Sequence, residues 1–263
     1  MRVLAHSVTN TGHRPQNEDA NLVAAELGLF VVADGMGGYA GGEVAATLAV
    51  DIVHGKFLEA ARSDWVEPGR TGRRFERRMV AAFRAAHHEV AQERVGPLAE
   101  MGTTMSAIHI DGAWAVIGHV GDSRIYRLRA GIMEQLTRDH SLLAELEAAG
   151  LESVPVAARA FGHVITRAIG VPDTADPDVR RVRVQEGDVF LLCTDGVTDV
   201  VDAKRLATVL ETLPPRLAAA AIVTDAWMSG SNDNMTAVVV RVESDDPAWA
   251  TETEPPPPPE GPN

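Results

Sequence analysis

The chain has 263 residues, 45% of them hydrophobic and 23% charged, which is enough apolar material for a globular protein with a sizeable core. Its net charge of −13 excludes general binding to nucleic acids or to anionic membranes, because both require a basic face. The single cysteine, Cys193, cannot form an internal disulfide, and the sequence has neither an apolar run of ~18 residues nor a signal peptide, so we expect a cytoplasmic protein.

The first part of the chain combines strand patterns with two helix patterns. Strands are predicted at residues 3–8, after the polar turn 14–19 and at residues 29–34, and helices at about residues 42–60 and 73–95. The third strand is a short apolar run that ends in Asp34, directly before the glycine-rich turn that begins at Gly35. An aspartate at a strand end, on a glycine turn before a helix, indicates a binding site.

The turn after Asp34 allows two interpretations. Residues 35–40 fit the dinucleotide fingerprint G-x-G-x-x-G/A, which expects an acidic residue ~20 positions later at the end of a second strand. Here that region is a continuous helix pattern with Glu59 inside it, and Asp34 would place a negative charge beside the pyrophosphate. The sequence therefore favours Asp34 as the ligand of a cation.

The middle of the chain changes to short strands separated by turn residues. They are predicted at residues 104–110, 113–120, 124–128 and 132–136. Asp-Gly and similar turns between such runs are hairpin signals, so this block is predicted to be an antiparallel meander. Asp122 lies on one of the turns, and His119, on the strand before it, suits either cross-strand packing or the lining of a cleft.

The last part of the chain repeats the arrangement seen at Asp34. Helices are predicted at residues 140–149, 203–212 and 216–228, and strands at residues 179–184, 188–194 and 235–242. The apolar strand 188–194 is followed by Asp195-Gly196, just as the earlier strand ends in Asp34-Gly35. This second aspartate is therefore a further candidate ligand.

Two segments lack the periodicity of helices and strands. Residues 151–170, which include His163, are predicted to form a mobile flap over a site. Residues 244–263 are acidic and rich in proline, and they are predicted to be a disordered tail that follows a folded domain of residues 1–243.

Carboxylates stand at strand ends and turns along the whole chain. The set comprises Asp34, Asp122, Asp195 and Asp233, with Glu18 and Asp19 close to Arg14. Clustered carboxylates repel one another unless cations lie between them, and ligation by oxygen alone suits Mg²⁺ or Mn²⁺ rather than structural zinc. Two such ions ~3.5–4 Å apart activate water for an in-line displacement at phosphorus, and an arginine fork suits phosphate oxygens. Taken alone, the charges near Arg14 also fit ordinary surface decoration.

Six short motifs follow one another in the chain. They are Arg14-x-x-Asn17-Glu18-Asp19, Asp34-Gly35-Met36-Gly37-Gly38, Met101-Gly102-Thr103-Thr104, Gly121-Asp122-Ser123-Arg124, Thr194-Asp195-Gly196 and Asn232-Asp233-Asn234. Together, over residues 3–242, they resemble the metal-dependent Ser/Thr protein phosphatases of the protein phosphatase 2C type, in the compact bacterial form. The resemblance implies an α+β fold, a four-layer α/β/β/α sandwich of two antiparallel sheets flanked by helices, with a two-metal cleft at one end.

The resemblance implies a set of ligands for the two catalytic ions. Asp34 would bridge two Mn²⁺ or Mg²⁺ ions, and the Gly35 carbonyl would bind one of them. Asp195 and Asp233 would complete the ligands of the first ion. Residues 1–243 would then be the phosphatase catalytic domain.

The same resemblance gives roles to the remaining charged residues. Asp122, together with Asp195, would hold a third, weaker ion of the kind seen in bacterial relatives. Glu18 and Asp19 would act mostly through ordered water. Arg14 would bind the substrate phosphate.

The activity implied is hydrolysis of phosphoserine and phosphothreonine by a metal-bridging hydroxide, without a phosphoenzyme intermediate. Eukaryotic relatives carry Asp-Gly-His-Gly, with the histidine proposed as general acid, where this chain has Met36, which cannot give a proton. Water on the third ion would then supply the proton, which gives Asp122 a part in the reaction.

Two other functions remain open from the sequence. A catalytically weak binding module of the same fold is one, although no metal aspartate is missing, and a hydrolase of small phosphoesters is the other. The partners implied are phosphorylated proteins and a eukaryotic-like Ser/Thr kinase in a bacterium, with no nucleic acid and no membrane. The chain is expected to be a monomer.

Overall fold

The structure, a computed structural model, describes residues 1–37, 41–63, 73–150, 164–172 and 176–244. Most of the predicted flap, residues 151–163 with His163, and the predicted tail from residue 245 lie outside the described residues. None of the helices in these ranges is long and apolar enough to cross a membrane.

The described residues form strands and helices close to the predicted positions. The strands are β1 (Arg2–Asn10), β2 (Asp19–Ala24), β3 (Leu29–Met36), β4 (Gly102–Thr103), β5 (Met105–Asp111), β6 (Trp114–Val120), β7 (Arg124–Arg129), β8 (Ile132–Gln135), β9 (Asp178–Arg183), β10 (Val189–Cys193) and β11 (Met235–Glu243). The helices are α1 (Gly41–Ser63), α2 (Arg74–Gln92), α3 (Leu142–Ala148), α4 (Asp195–Thr198), α5 (Ala203–Thr212) and α6 (Pro215–Met228). Short 3-10 turns lie at Ala25–Leu27 and Gly96–Leu98.

The strands form two antiparallel sheets that pack face to face. One sheet has the order β1-β11-β10-β7-β8, and the other has the order β2-β3-β5-β6-β9, with β4 paired to β3. Helices α1 and α2 cover the outer face of the second sheet, and α5 and α6 cover the outer face of the first. A third apolar layer fills the space between the sheets. The predicted four-layer α+β sandwich is confirmed.

The two strands that precede the key aspartates are buried on both faces. In β3, Phe30 and Val32 point between the sheets, whereas Val31 and Ala33 point towards the helices. In β10, alternate residues divide in the same way between the inner layer and the helix layer, where Cys193 lies fully buried. Burial on both faces explains why both runs are continuously apolar rather than alternating.

The predicted meander is wrong at one connection. Strands β5 and β6 pair in one sheet, but β7 and β8 pair in the other, so the turn after β6 crosses between the sheets. Gly121 makes this crossing with φ +107°, and a Cβ at this position would lie 2.5 Å from the Thr104 side chain. The crossing carries Asp122 to the end of the sandwich, in the layer between the sheets.

The end of the predicted flap is tied to the body of the fold. Ile169 exchanges two backbone hydrogen bonds with Thr103, at 3.1 and 2.8 Å, and Ile165 forms a bridge with Ser141.

The third strand also differs from its prediction, because β3 continues past Asp34 to Met36, where it pairs with β4.

His109 on β5 gives the fold a dependence on pH. The ring lies between Phe57 and Phe75, with centroids 5.0 and 4.7 Å away, and neither ring nitrogen has a hydrogen-bond partner among the described residues. Burial lowers the pKa of His109 to about 4 from 6.5. Between pH 6.5 and pH 4 the His109 ring is therefore protonated in the unfolded chain but neutral in the folded chain. The free energy of unfolding decreases as the pH falls from 6.5 towards 4.

We expect His109→Phe to resist acid better than the wild type. The gain in free energy of unfolding should be small at pH 7.5 and should grow at pH 5, towards a limit of about 3 kcal/mol. Urea unfolding at the two pH values measures it. His88→Phe, at an exposed position on α2, is the matched control without such a gain. A gain that is equal at both pH values would contradict the assignment to the His109 proton.

Candidate metal centre

A cleft of about 790 Å³ opens where the ends of β2, β3, β10 and β11 meet. Its lining includes six of the eight predicted site residues: Arg14, Glu18, Asp34, Gly35, Asp195 and Asp233. Met36 and Ile165 also line it. The other two predicted residues, the half-buried Asp19 and the buried Asp122, are not part of this lining, but the charge of Asp195 is among those that raise the pKa of each.

Backbone pairing and two threonines fix Asp34 at the floor of the cleft. Asp34 lies opposite Asp19 in the β2–β3 pair. Its N–H donates to Thr104 Oγ1 at 3.1 Å, and its carbonyl oxygen accepts from Thr103 Oγ1 at 2.9 Å. The next residue must be glycine, because a Cβ on Gly35 would lie 2.1 Å from a backbone oxygen at the start of α1.

A second close approach brings the other two aspartates to the same place. Asp195 begins α4, directly after β10, and Asp233 lies just before β11. A Cβ on Gly196 would lie 1.9 Å from the Asn234 carbonyl oxygen, so the residue after Asp195 has to be glycine for the two loops to meet. Thus two segments that are far apart in sequence present their carboxylates to one cleft.

The side chain of Asn234 holds the loop that carries Arg14 and Glu18. Its Oδ1 accepts from the Glu18 N–H at 2.8 Å, and its Nδ2 donates to the Thr11 and Gln16 carbonyl oxygens at 2.8 and 2.9 Å. The sequence placed Asn234 in a motif but indicated no role for it. An asparagine beside an aspartate in a loop is usually a turn residue, and only the fold shows the three partners.

Two hydroxyl groups hold one oxygen of the Asp19 carboxylate. Its Oδ2 accepts from Thr194 Oγ1 at 3.0 Å and from Thr236 Oγ1 at 2.6 Å. Burial, only partly offset by these bonds, raises its pKa to about 7. Sequence reasoning missed both threonines, because a threonine near a strand end has no distinguishing pattern.

The turn with Asp122 is clamped by His140. The His140 N–H donates to the Gly121 carbonyl oxygen at 2.7 Å, and the Gly121 N–H donates to His140 Nδ1 at 3.1 Å. His140 Nε2 therefore carries the ring proton and donates it to Asp178 Oδ2 at 3.2 Å. The His119 ring packs against this ring at 4.7 Å with a 41° tilt, and it forms hydrogen bonds to Ser106 and to a backbone carbonyl, so it has a packing role and does not line the cleft.

The buried carboxylates destabilise one another. Burial raises the pKa of Asp34 well above its usual value, and the charges of Asp19 and Asp195 raise it further. Burial likewise raises the pKa of Asp195, and it raises that of Asp122 to about 7. The Asp34 and Asp195 carboxyl groups lie close enough for the charge of Asp195 to act on Asp34.

The residues present fit divalent cations bound by oxygen. One carboxylate oxygen in each of Asp19, Asp122 and Asp195 is buried without a hydrogen-bond partner in the described part of the chain. A cation supplies what these oxygens lack, because it both ligates them and removes their mutual repulsion. Across the five described ranges, no three His, Cys, Asp or Glu side chains already converge as a closed metal site. An ion pair on Asp233 has to open before that carboxylate can bind a cation.

That ion pair is formed by Arg14. Its Nη2 lies 2.7 Å from Asp233 Oδ2, and its Nε donates to the Asn232 carbonyl oxygen at 3.1 Å. The Arg14 side chain is 51% exposed, so its guanidinium group is accessible from the cleft. Among the described residues that line the cleft, Arg14 is the one cationic side chain. It is placed to meet an anion above the aspartates.

Comparisons with known proteins agree with this geometry. The family model described as Protein phosphatase 2C matches residues 13–231. The chain is 32% identical, over 218 residues, to the Serine/threonine phosphatase stp of Listeria innocua, which covers 81% of this chain and 83% of that protein.

Two solved structures extend the similarity to the whole fold. The serine/threonine phosphatase PstP/Ppp of Mycobacterium tuberculosis matches with a TM-score of 0.79 and 32% identity, over 93% of this chain and all of that one. The catalytic domain of PstP in complex with two manganese ions matches with a TM-score of 0.77 and 32% identity, over 92% of this chain and 99% of that one. Similarity at this level includes the arrangement of both sheets.

Proposed function

The chain belongs to the protein phosphatase 2C family, and on that premise we propose that Asp34, Asp195 and Asp233 hold its metal ions while Arg14 binds the substrate phosphate. It is a serine/threonine protein phosphatase that depends on Mn²⁺ or Mg²⁺. The observation that carries the proposal is the pair of buried, mutually repelling carboxylates of Asp34 and Asp195, which face Arg14 in one cleft.

The aspartates would hold the ions at the floor of the cleft. Asp34 would lie between two ions, with the Gly35 carbonyl on one of them and Asp195 and Asp233 on the first. When bound, paired divalent cations activate water for attack on phosphorus and neutralise charge on the phosphoryl oxygens. The protein side chains orient these groups and exclude other ligands.

Further acidic residues would extend the site. Asp122, with Asp195, would hold a third ion, and its turn is kept in place by His140. Glu18 and Asp19 would act through water on the ions. The orphaned oxygens of Asp19 and Asp122 support this extension.

Arg14 would bind the substrate phosphate in place of the Asp233 carboxylate. Arg14 would release the Asp233 carboxylate to the metal site, and its planar fork would then be free to hold two phosphoryl oxygens. The reaction we propose is direct attack of water on phosphorus, without a phosphoenzyme. Met36 lines the cleft and has no proton to give, so the leaving alkoxide takes its proton from water.

The substrates we propose are proteins phosphorylated on serine or threonine. Such esters are made by ATP-dependent Ser/Thr kinases, so the partner in the cell is a kinase of that class, and both act in the cytoplasm. We also propose that the chain acts as a monomer.

The test is phosphate release from a phosphothreonine peptide with and without Mn²⁺. We expect metal-dependent turnover in the wild type and its loss in Asp233→Asn. Asp225→Asn is the matched control, because Asp225 also pairs with an arginine, Arg205 at 2.7 Å, but lies on α6 outside the cleft. Peptide binding without turnover by the metal-loaded wild type would overturn the proposal in favour of a binding module. Faster turnover of a mononucleotide than of the peptide would favour a hydrolase of small phosphoesters.

A further inference from the structure

An exposed aromatic and apolar surface lies at the end of α6, beside the cleft. We call it the α6 platform; it consists of the ring pair of His13 and Trp227, with Met228 as the next residue along the chain. The His13 and Trp227 rings stack with their centroids 4.5 Å apart and an angle of 26° between their planes. Trp227 is 42% exposed and Met228 is 78% exposed, although both are large apolar side chains. Exposed apolar groups next to an active site often belong to a binding surface.

The α6 platform is continuous with the phosphate site along both chain segments that form it. His13 directly precedes Arg14, and Trp227 lies a few residues before Asp233, the ion-pair partner of Arg14. The two segments are in tight contact, because a Cβ on Gly12 would lie 2.3 Å from the Asp233 carbonyl oxygen. The platform therefore keeps a fixed position relative to Arg14.

A protein substrate has to lie against the surface around the opening of the cleft. Its phosphate enters the cleft, and the residues on either side of the phosphoresidue lie on the surface around the opening. In the proposed function the carboxylates of the cleft and Arg14 are occupied by the ions and the phosphate, so the flanking side chains are left to the surface around the opening. The α6 platform offers apolar and aromatic area there.

We propose that the α6 platform binds an apolar side chain of the substrate protein close to the phosphoresidue. Trp227 and Met228 supply the contact area, and the stacked His13 ring holds Trp227 in one orientation. The platform is thus a specificity-determining surface for substrates with apolar residues beside the phosphorylated position. This inference rests on the proposed function of the cleft, because the occupant is defined by a phosphate held at Arg14.

The test compares two phosphothreonine peptides that differ only beside the phosphoresidue, where one has leucines and the other has serines. In the wild type we expect kcat/KM to be about tenfold higher for the leucine peptide, the size of one good apolar contact. In Trp227→Ala the ratio should fall close to one. N-acetyl phosphothreonine amide, which has no flanking side chains, gives the reference rate for each variant.

Two further variants separate binding from folding. His13→Ala leaves Trp227 in place without its stacking partner and should lower the ratio in part. Leu217→Ala removes another exposed apolar side chain of α6, ten residues before Trp227, and should leave the ratio unchanged. Circular dichroism and thermal unfolding of each variant identify any that has lost the fold of α6.

Several outcomes would overturn the proposal. A wild-type ratio near one shows that the α6 platform does not recognise apolar neighbours. An unchanged ratio in Trp227→Ala, with a loss of self-association measured by light scattering, shows that the platform joins two copies of the chain instead. If Trp227→Ala lowers kcat/KM equally for all three substrates, the substitution acts only through the position of Arg14. Failure of the proposed function is distinct, since the wild type would then turn over none of the three.

Discussion

Asp34→Asn is expected to abolish metal-dependent turnover and, in the absence of metal, to stabilise the fold. The loss of turnover should be about 10³-fold or more, because the variant removes the carboxylate proposed to lie between the two ions. The gain in stability has a separate cause. Burial and the charges of Asp19 and Asp195 raise the pKa of Asp34 above 3.8, so the folded chain is penalised when this carboxyl group ionises.

The sign of this effect fixes its dependence on pH. A carboxyl group whose pKa is raised on folding costs nothing below pH 3.8, and stability is lost as the pH rises through the raised pKa. The advantage of the variant in EDTA should therefore grow from pH 4 to pH 7.5. Thermal unfolding in EDTA and in Mn²⁺ measures both parts, and the rise in Tm that Mn²⁺ gives the wild type should disappear.

Asp188→Asn is the matched control, because it makes the same change at a buried aspartate that has a partner. Asp188 is fully buried, and both its carboxylate oxygens lie 2.6 Å from the guanidinium group of Arg129. Here the substitution should destabilise the fold, by about 2–3 kcal/mol, and leave the metal-dependent turnover in place. If Asp34→Asn were instead as destabilising in EDTA as Asp188→Asn, the carboxylates of the cleft would not be repelling one another.

The contrast between these two aspartates shows what the sequence can predict. Asp34 follows a continuous apolar run and precedes glycines, and that local pattern was enough to predict a buried strand and a side chain in a site, although β3 continues two residues past Asp34. The same pattern identified Asp195. Both residues are placed by their own strands, so short-range signals suffice, and the apolar runs also indicate burial on both faces.

What the sequence could not predict depends on contacts between distant segments. The turn at Gly121 has the composition of a hairpin, and nothing local distinguishes a hairpin from a crossing between two packed sheets. The hydrogen bonds of Asn234 to the loop before Glu18 span more than 200 residues of sequence. Polar side chains with several partners are recognisable only after the fold brings those partners together.

The ion pair of Arg14 with Asp233 is another contact between segments that are distant in sequence, and it changes the interpretation of both residues. The resemblance gave them separate roles, one for phosphate and one for metal. In the structure they form one ion pair, 2.7 Å long, at the edge of the cleft. Arg14 therefore neutralises a ligand that the metal needs, and its removal should affect phosphate and metal in opposite directions.

Arg14→Ala is expected to weaken catalysis and to leave Mn²⁺ binding as tight or tighter. Loss of the fork should lower kcat/KM for a phosphothreonine peptide by about 10²–10³-fold. Loss of a positive charge beside Asp233 removes both a competitor for the carboxylate and a repulsion on the cation, so the dissociation constant for Mn²⁺ should stay the same or fall by up to about tenfold. Calorimetric titration with Mn²⁺ and steady-state kinetics on the same samples provide the two readouts.

Two controls separate charge from geometry. Arg14→Lys keeps the charge and loses the fork, so Mn²⁺ binding should match the wild type while kcat/KM recovers only in part. Arg205→Ala breaks another arginine–aspartate pair, with Asp225, on the surface of α6 and should change neither quantity. A weaker affinity for Mn²⁺ in Arg14→Ala, in proportion to the loss of kcat/KM, would contradict this account. It would mean that Arg14 positions Asp233 for the metal rather than competing with it.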